Sequence, residues 1–107
     1  MNCDFQTGFC GYTQSFDDHF DWTRKRGSTS STGTGPAVDH TLATSSGYYV
    51  YIETSSGNYG YVARLLSPTL TTLGRHCLEF YYHMYGSAIN TLNVYANTTT
   101  LGNAIRT

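Results

Sequence analysis

Residues 48–54 read Tyr48-Tyr49-Val50-Tyr51-Ile52-Glu53-Thr54, with Ser-Ser-Gly before them and Ser-Ser-Gly-Asn after them. Aromatic and β-branched side chains dominate this stretch, and turn-forming residues bound it at both ends, which predicts a β-strand. Because successive side chains of a strand point to opposite faces, Tyr48, Val50 and Ile52 share one face, and Tyr49, Tyr51 and Glu53 share the other.

Further strands are predicted on both sides of this one. A short strand is predicted at residues 20–24, another near 60–67, and a returning strand at 91–96, while residues 101–107 resemble the start of one more. The longest predicted strand covers residues 77–85. Its even positions form an apolar row that comprises Leu78, Phe80, Tyr82 and Met84.

Helical periodicity is hard to find, because Gly, Ser and Thr interrupt every candidate stretch. Many short strands with glycine-rich turns predict an all-β sandwich or barrel. The Ser, Thr and Gly run at residues 27–35 is predicted to be a long surface loop, since strand patterns lie on both sides of it. We therefore expect one domain over residues 1–107, in agreement with the length of the chain.

The charge balance excludes several classes of partner. Charged residues make up 12% of the chain, the net charge is −1, and the only basic cluster is Arg24-Lys25-Arg26. Such a chain is a poor match to nucleic acid, whose binding requires many phosphate contacts. No apolar stretch is long enough to cross a bilayer, so we expect no direct membrane insertion by this segment. No signal peptide follows Met1, and we expect secretion and any anchor to be encoded elsewhere.

No constellation of residues predicts catalysis. The sequence contains no G-x-S-x-G nucleophile motif and no H-E-x-x-H zinc motif, and its four histidines are scattered. The carboxylates of Asp17, Asp18 and Asp21 are clustered, but their spacing does not match a calcium-binding EF-hand loop. We therefore predict that this chain is not an enzyme.

Three cysteines, Cys3, Cys10 and Cys77, set the expected redox environment. A disulfide between Cys3 and Cys10 is sterically easy and would stabilise the fold by roughly 2–3 kcal/mol through loop entropy. Cys77 would then lack a partner, bond to another chain or remain a thiol. Three reduced cytosolic thiols are the alternative. No C-x-x-C pair predicts a zinc or redox centre.

Tyrosine is the abundant residue type with an evident capacity for recognition. It offers a large contact area with little loss of conformational entropy. We predict a protein or glycan contact surface at Tyr49, Tyr51, Tyr59 and Tyr61, although covering the sheet is an alternative role for each. Asn97-Thr98-Thr99 is a sequon for N-glycosylation at Asn97.

Several motifs together resemble MAM domains, the modules named for meprin, the A5 protein (neuropilin) and receptor protein tyrosine phosphatase mu. They cover nearly the whole chain in the order of the family. They are Cys3-Asp4-Phe5, Gly8-Phe9-Cys10-Gly11-Tyr12, Phe20-Asp21-Trp22-Thr23-Arg24, Gly33-Thr34-Gly35-Pro36, Asp39-His40-Thr41, Gly47-Tyr48-Tyr49-Val50-Tyr51-Ile52-Glu53, Ala63-Arg64-Leu65-Leu66-Ser67-Pro68, Cys77-Leu78-Glu79-Phe80-Tyr81-Tyr82-His83-Met84-Tyr85-Gly86 and Leu92-Asn93-Val94-Tyr95.

The resemblance implies a jelly-roll-like antiparallel β-sandwich that lacks its final strands at the C-terminus. It implies a Cys3–Cys10 disulfide and a partner for Cys77 beyond residue 107. Some members bind a structural calcium ion, and the corresponding candidates are Gln6 and Asp39. The family usually reads Cys-Asp-Phe-Glu-Asp where this chain has Cys3-Asp4-Phe5-Gln6-Thr7, and this loss of negative charge is expected to weaken calcium binding. No other cofactor is expected.

The resemblance further implies an extracellular, non-catalytic module, secreted or part of the ectodomain of a membrane protein. Such a module mediates adhesion or receptor self-association through homophilic or heterophilic protein contacts. Two alternatives remain open at this point, namely an accessory domain of a secreted or membrane metalloprotease and a carbohydrate-binding sandwich.

Overall fold

A computed structural model of the chain describes residues 2–55, 60–71, 74–97 and 101–106. The strands in chain order are β1 (Thr13–Gln14), β2 (Thr23–Arg26), β3 (Tyr48–Tyr51), β4 (Leu65–Leu66), β5 (Val94–Asn97) and β6 (Leu101–Arg106). They form three antiparallel pairs, β1–β4, β2–β3 and β5–β6.

The predicted all-β class is confirmed. Every strand pairs antiparallel to its neighbour, and no helix occurs in the described ranges. Those residues form no helix that is long and apolar enough to span a membrane. Closure of the three pairs into a two-sheet jelly-roll sandwich stays a prediction from the family resemblance.

The β2–β3 pair contains the strand predicted from the tyrosine-rich stretch. Its register places Arg24 opposite Val50 and therefore diagonally across from Tyr48 on the same face. The guanidinium carbon of Arg24 lies 3.6 Å from the ring centroid of Tyr48, a cation–π contact. On the other face, the rings of Tyr49 and Tyr51 meet edge to face with centroids 6.1 Å apart. The Arg24–Tyr48 contact thus joins the two strands on one face, while the Tyr49–Tyr51 contact lies within β3.

The β1–β4 pair is short, but the segment after β1 lengthens the contact. His19 donates its backbone N–H to the carbonyl of Val62 at 2.8 Å, and Val62 donates its own to His19 Nδ1 at 2.8 Å. The indole N–H of Trp22 donates to the carbonyl of Ala63 at 3.1 Å. These bonds lay residues 15–22 alongside the chain that leads into β4.

The prediction of a long strand at residues 77–85 is wrong. These residues pair with no strand in the described part of the chain. Their apolar row is exposed, from 38% for Phe80 to 71% for Tyr82. Alternating sequence buries one face only when neighbouring strands and an opposing layer cover it. The other predicted strands occur with shifted ends as β2, β4, β5 and β6.

Burial is concentrated at a polar position. Across the described residues no hydrophobic side chain is buried, whereas Asp39 is only 4% exposed. Gly47, at the start of the turn into β3, is buried beside it. A Cβ placed on Gly47 would collide with both carboxylate oxygens of Asp39. Position 47 therefore requires glycine because the Asp39 carboxylate occupies the space of any side chain there.

We expect Gly47→Ala to destabilise the protein by about 1–3 kcal/mol, because the new methyl group must displace the Asp39 carboxylate. Chemical denaturation monitored by Trp22 fluorescence measures the change. Ser46→Ala, at the exposed neighbouring position, is the matched control and should leave the free energy of unfolding within about 0.5 kcal/mol of wild type. Equal stability of the two variants would contradict the close packing of Gly47 against Asp39.

Candidate functional site

The Asp39 carboxylate is the centre of a hydrogen-bonded loop. Its Oδ2 accepts the backbone N–H of Leu42 at 2.9 Å, and its Oδ1 accepts that of Thr44 at 3.4 Å. Thr44 also bonds through its carbonyl, which accepts the backbone N–H groups of Asp39 and Gly47. Ala43 makes the reversal possible with a φ of 55°. The chain from residue 39 to residue 47 therefore curls around one carboxylate.

Gln6 connects this loop to β3 and to the N-terminal segment. Its Oε1 accepts the backbone N–H of Tyr48 at 3.0 Å, and its Nε2 donates to the carbonyl of Tyr48 at 3.1 Å. The carboxamide thus bonds Tyr48 as the backbone of a neighbouring strand would. The same nitrogen lies 2.9 Å from Asp39 Oδ2 and 3.0 Å from the Asp4 carbonyl oxygen, so its two hydrogens are shared among three acceptors.

Arg24 fixes the backbone of the same N-terminal segment. Its Nε donates to the carbonyl of Phe5 at 2.6 Å and its Nη2 to that of Gln6 at 2.5 Å. The disulfide between Cys3 and Cys10 closes the segment, with Cα atoms 5.8 Å apart, inside the range that disulfides allow. We call the side chains of Gln6, Arg24 and Asp39 the polar node.

The node perturbs the acidity of Asp39. Desolvation by burial alone would raise the pKa of this carboxyl, but hydrogen bonds from Leu42, Thr44 and Gln6 outweigh it and leave the pKa below its ordinary value. The pKa of Asp17 is also lowered, chiefly by the Ser15 hydroxyl. That of Glu53 is lowered chiefly by the backbone N–H of Ser55. Each of these three hydrogen-bonded carboxylates therefore stabilises the folded state when it is charged.

The two residues predicted as calcium candidates lie in contact, but their geometry is that of a hydrogen bond. Gln6 presents its NH₂ group to Asp39, while its carbonyl oxygen is occupied by the N–H of Tyr48. Three or more His, Cys, Asp or Glu side chains converge nowhere among the described residues. Calcium prefers six to eight oxygen ligands. The observed arrangement does not fit that ion, because a nitrogen faces the carboxylate.

The structure gives the predicted tyrosines different surroundings. The Tyr49 hydroxyl donates to the Gly27 carbonyl at 2.5 Å, and burial, with a contribution from Tyr51, raises the pKa of this phenol. Tyr49 and Tyr51 are half-buried, whereas Tyr61 is 49% exposed and stacks on His19 with centroids 4.6 Å apart. Tyr59 lies outside the described residues. A contact role for this set stays a prediction.

A second group of tyrosines is far more exposed. Tyr81, Tyr82 and Tyr85 are 65%, 71% and 70% exposed, and we call them the tyrosine row. Tyr81 stacks on His40 with ring centroids 3.4 Å apart. The alternating sequence pattern of residues 77–85 places Tyr82 in the predicted apolar row. The local sequence contains no sign that this apolar row is exposed.

The remaining predicted sites are at the surface or at a strand end. Cys77 is exposed and forms no disulfide with Cys3 or Cys10. Asn97 is the last residue of β5. Residues 98 and 99 of its sequon lie outside the described residues, so glycosylation stays a prediction.

The cysteine arrangement predicts the result of peptide mapping. In protein purified without reductant, we expect one peptide pair linked through Cys3 and Cys10, and alkylation only at Cys77, because its thiol is accessible. Mass spectrometry of a proteolytic digest, with and without reduction, makes the assignment. Recovery of Cys77 in a bond with Cys3 or Cys10 would contradict the observed pairing.

The lowered pKa of Asp39 predicts how stability depends on pH. A carboxyl whose pKa is lower in the folded state stabilises the protein above its unfolded pKa, near 4, and this stabilisation is lost as pH falls through the folded pKa. We expect Asp39→Asn to reduce thermal stability at neutral pH and to flatten the loss below about pH 4. Thermal unfolding across an acidic pH series measures both effects.

Asp21→Asn, at an exposed aspartate, is the control for the removal of one negative charge. It should retain the wild-type stability at neutral pH and the wild-type decline in acid. An acid profile of Asp39→Asn that coincides with wild type would rule out a stabilising role for the charged Asp39 carboxylate.

Comparison with known proteins identifies the family of the domain that contains the polar node and the tyrosine row. Residues 3–105 match the family described as MAM domain, meprin/A5/mu. Human "MAM domain-containing protein 2" is 48% identical over 94 residues, which is 87% of this chain and 13% of that protein. "Thyroid hormone-induced protein B" of Xenopus laevis is 43% identical over 94 residues, again 87% of this chain and 13% of that protein.

A third relative carries a membrane attachment in its name. "MAM domain-containing glycosylphosphatidylinositol anchor protein 2" of Mus musculus is 40% identical over 110 residues, or 89% of this chain and 12% of that protein. The chain therefore spans only a small part of the relatives it matches. With the family matched over nearly all its residues, this chain belongs to the MAM domain family.

Proposed function

We propose that this domain is a non-catalytic extracellular recognition module, which binds a protein surface by homophilic or heterophilic contact through its tyrosine row. The observation that carries the proposal is the exposure of three tyrosines within five residues, each at 65% or more. Tyrosine is enriched at protein interfaces, since its ring buries a large area while its hydroxyl can bond across the contact.

The rings are supported by their neighbours, which limits the entropy that binding would cost. Tyr81 is stacked on His40, Tyr82 lies 6.1 Å from the ring of Phe80, and Tyr85 lies 6.5 Å from that of His83. The Thr34 hydroxyl donates to the Tyr85 carbonyl, and so connects the row to the loop at residues 27–35. A surface held in this way loses less freedom on binding than isolated side chains do.

Apolar neighbours enlarge the exposed aromatic surface. Leu78 and Ile89 are 58% and 54% exposed at either end of the segment. Exposed apolar surface is typical of sites that contact another protein. Tyr61, a member of the contact set predicted from sequence, is 49% exposed and stacks on His19.

The extracellular location is supported by chemistry and by the relatives. A disulfide such as Cys3–Cys10 persists in oxidising compartments and is rare in the cytosol. One relative is named for a glycosylphosphatidylinositol anchor. Both observations support a position outside the cell, on a secreted protein or on the ectodomain of a membrane protein.

Absence of catalysis in this domain is part of the same proposal. His19, the histidine with the best-defined partner, uses Nδ1 to accept the N–H of Val62. A histidine that acts as a general base needs a ring nitrogen, Nδ1 or Nε2, within reach of the proton that it removes. The role we assign to His19 is to join residues 15–22 to the chain before β4 and to support Tyr61.

Substitution within the tyrosine row tests the proposal. We expect the double variant Tyr82→Ala/Tyr85→Ala to weaken self-association, or binding to cells that display the partner, by at least about tenfold, because buried tyrosines are frequent binding hot spots. Sedimentation velocity measures the homophilic contact, and flow cytometry with fluorescently labelled protein measures the heterophilic one. Tyr95→Ala, at a 41% exposed position on β5, is the control and should bind as wild type.

Binding that survives in the double variant would exclude the tyrosine row as the contact surface. A glycan array distinguishes the carbohydrate-binding alternative. If the wild-type domain binds glycans on the array and the double variant does not, the partner is a sugar and not a protein. If the wild-type domain binds no glycan and the double variant loses cell binding, the protein contact is supported. The thermal unfolding of each variant shows whether it remains folded.

A further inference from the structure

Three oxygen atoms converge on the side-chain nitrogen of Gln6. The Asp39 Oδ2 lies 2.9 Å from Nε2, the Asp4 carbonyl oxygen 3.0 Å, and the Tyr48 carbonyl oxygen 3.1 Å. These oxygens come from the N-terminal segment, the loop at residues 39–47 and β3. A cluster of carboxylate and carbonyl oxygens from separate segments is the arrangement that hard cations hold together in other proteins.

We propose that the carboxamide nitrogen of Gln6 takes the structural place of a cation, so that this MAM domain assembles its N-terminal segment without calcium, and that Gln6→Glu converts the same oxygen cage into a calcium-dependent site.

The orientation of the Gln6 amide follows from its partners. The N–H of Tyr48 requires an acceptor, which Oε1 supplies at 3.0 Å. Rotating the amide by half a turn would bring Nε2 against this N–H and Oε1 against three oxygens. Four hydrogen-bonding contacts would then become repulsive. The hydrogen-bond network thus admits one orientation, with nitrogen inside the oxygen cage.

The negative charge of the cage is balanced without an ion. Within the described part of the chain, Asp39 is the only carboxylate that contributes an oxygen to Nε2. Its oxygens also accept the backbone N–H groups of Leu42 and Thr44. Oriented N–H dipoles stabilise an anion in the way that a bound cation would, and they require no exchange with solvent. The guanidinium of Arg24 adds a positive charge behind the segment, on the carbonyls of Phe5 and Gln6.

A glutamate at position 6 would reverse this balance. Its carboxylate has nearly the same shape as the carboxamide, but it would place oxygen against three oxygens and a second negative charge beside Asp39. Like charges at such a distance destabilise the folded state unless a cation lies between them. The same change supplies a second carboxylate ligand, and ligand charge is a main determinant of calcium affinity. Gln6→Glu therefore tests the role of the nitrogen with minimal change in volume.

Thermal unfolding with calcium chloride or with EDTA provides the experiment. For the wild-type chain we expect the same midpoint in both solutions. For Gln6→Glu we expect a midpoint lowered by several degrees in EDTA and largely restored by calcium at about 1 mM, the concentration range in which extracellular calcium modules respond. Magnesium chloride should restore less, because magnesium retains its water and demands a stricter geometry.

Gln14→Glu is the matched control. The Gln14 carboxamide also bonds both polar backbone atoms of one residue, since Nε2 donates to the Trp22 carbonyl at 2.9 Å and Oε1 accepts the Trp22 N–H at 3.0 Å. Unlike Gln6, it forms no hydrogen bond to a carboxylate among the described residues. Gln14→Glu should lose stability equally in calcium and in EDTA.

Two outcomes would overturn the proposal. One is a rise in the wild-type midpoint with calcium that Asp39→Asn abolishes, since a cation would then already occupy the node. The other is a Gln6→Glu variant that folds but has the same midpoint with and without calcium. If Gln6→Glu folds in neither solution, calorimetric titration of calcium into wild type and into Asp39→Asn decides, and binding heat present only in wild type overturns the proposal.

Discussion

The structure depends on a carboxylate that is nearly buried in a region with little apolar cover. Removing Asp39 from water is costly unless hydrogen bonds replace the lost hydration. The donors that do so are Leu42 and Thr44 in the loop at residues 39–47 and Gln6 in the N-terminal segment, and the Gln6 amide also bonds Tyr48 of β3. The requirement to satisfy one charge therefore fixes how three parts of the chain meet. Gly47 is constrained by the same charge, since its lack of a side chain makes room for the carboxylate.

Two glutamine side chains extend this use of polar groups in place of backbone pairing. Gln6 bonds both the N–H and the carbonyl of Tyr48, and Gln14 bonds those of Trp22. A carboxamide carries a donor and an acceptor at about the spacing of a peptide group, so it can occupy the place of a missing neighbouring strand. Short strands such as β1 and β3 are in this way joined to segments that lack regular pairing.

The amino-acid sequence predicts those features that local pattern controls. The tyrosine-rich stretch between two Ser-Ser-Gly sequences contains β3. The alternating pattern of residues 77–85 misleads, because it contains no information about whether a partner strand will lie alongside. Strand identity at that position depends on long-range pairing, which no window of local sequence includes.

The candidate site divides along the same line. The family resemblance names Gln6 and Asp39 together as calcium candidates, and the structure places them in contact although 33 positions separate them. It could not show which end of the amide faces the carboxylate, because that depends on the N–H of Tyr48 across a third segment. The donors at Leu42 and Thr44 are backbone N–H groups, so residue type does not predict them. In the sequence, Arg24 is part of a basic cluster, and its bonds to backbone carbonyls emerge only from the fold.

The polar node and the tyrosine row are linked by adjacent residues. Asp39 is held in the node, and the next residue, His40, stacks on Tyr81 with ring centroids 3.4 Å apart. The turn that satisfies the Asp39 carboxylate therefore also sets the position from which His40 supports the first ring of the row. Charge satisfaction within the loop and presentation of aromatic surface outside it are thus consequences of one local conformation. A change that loosens the node would be transmitted to the row through a single peptide unit, because no flexible linker separates the two residues.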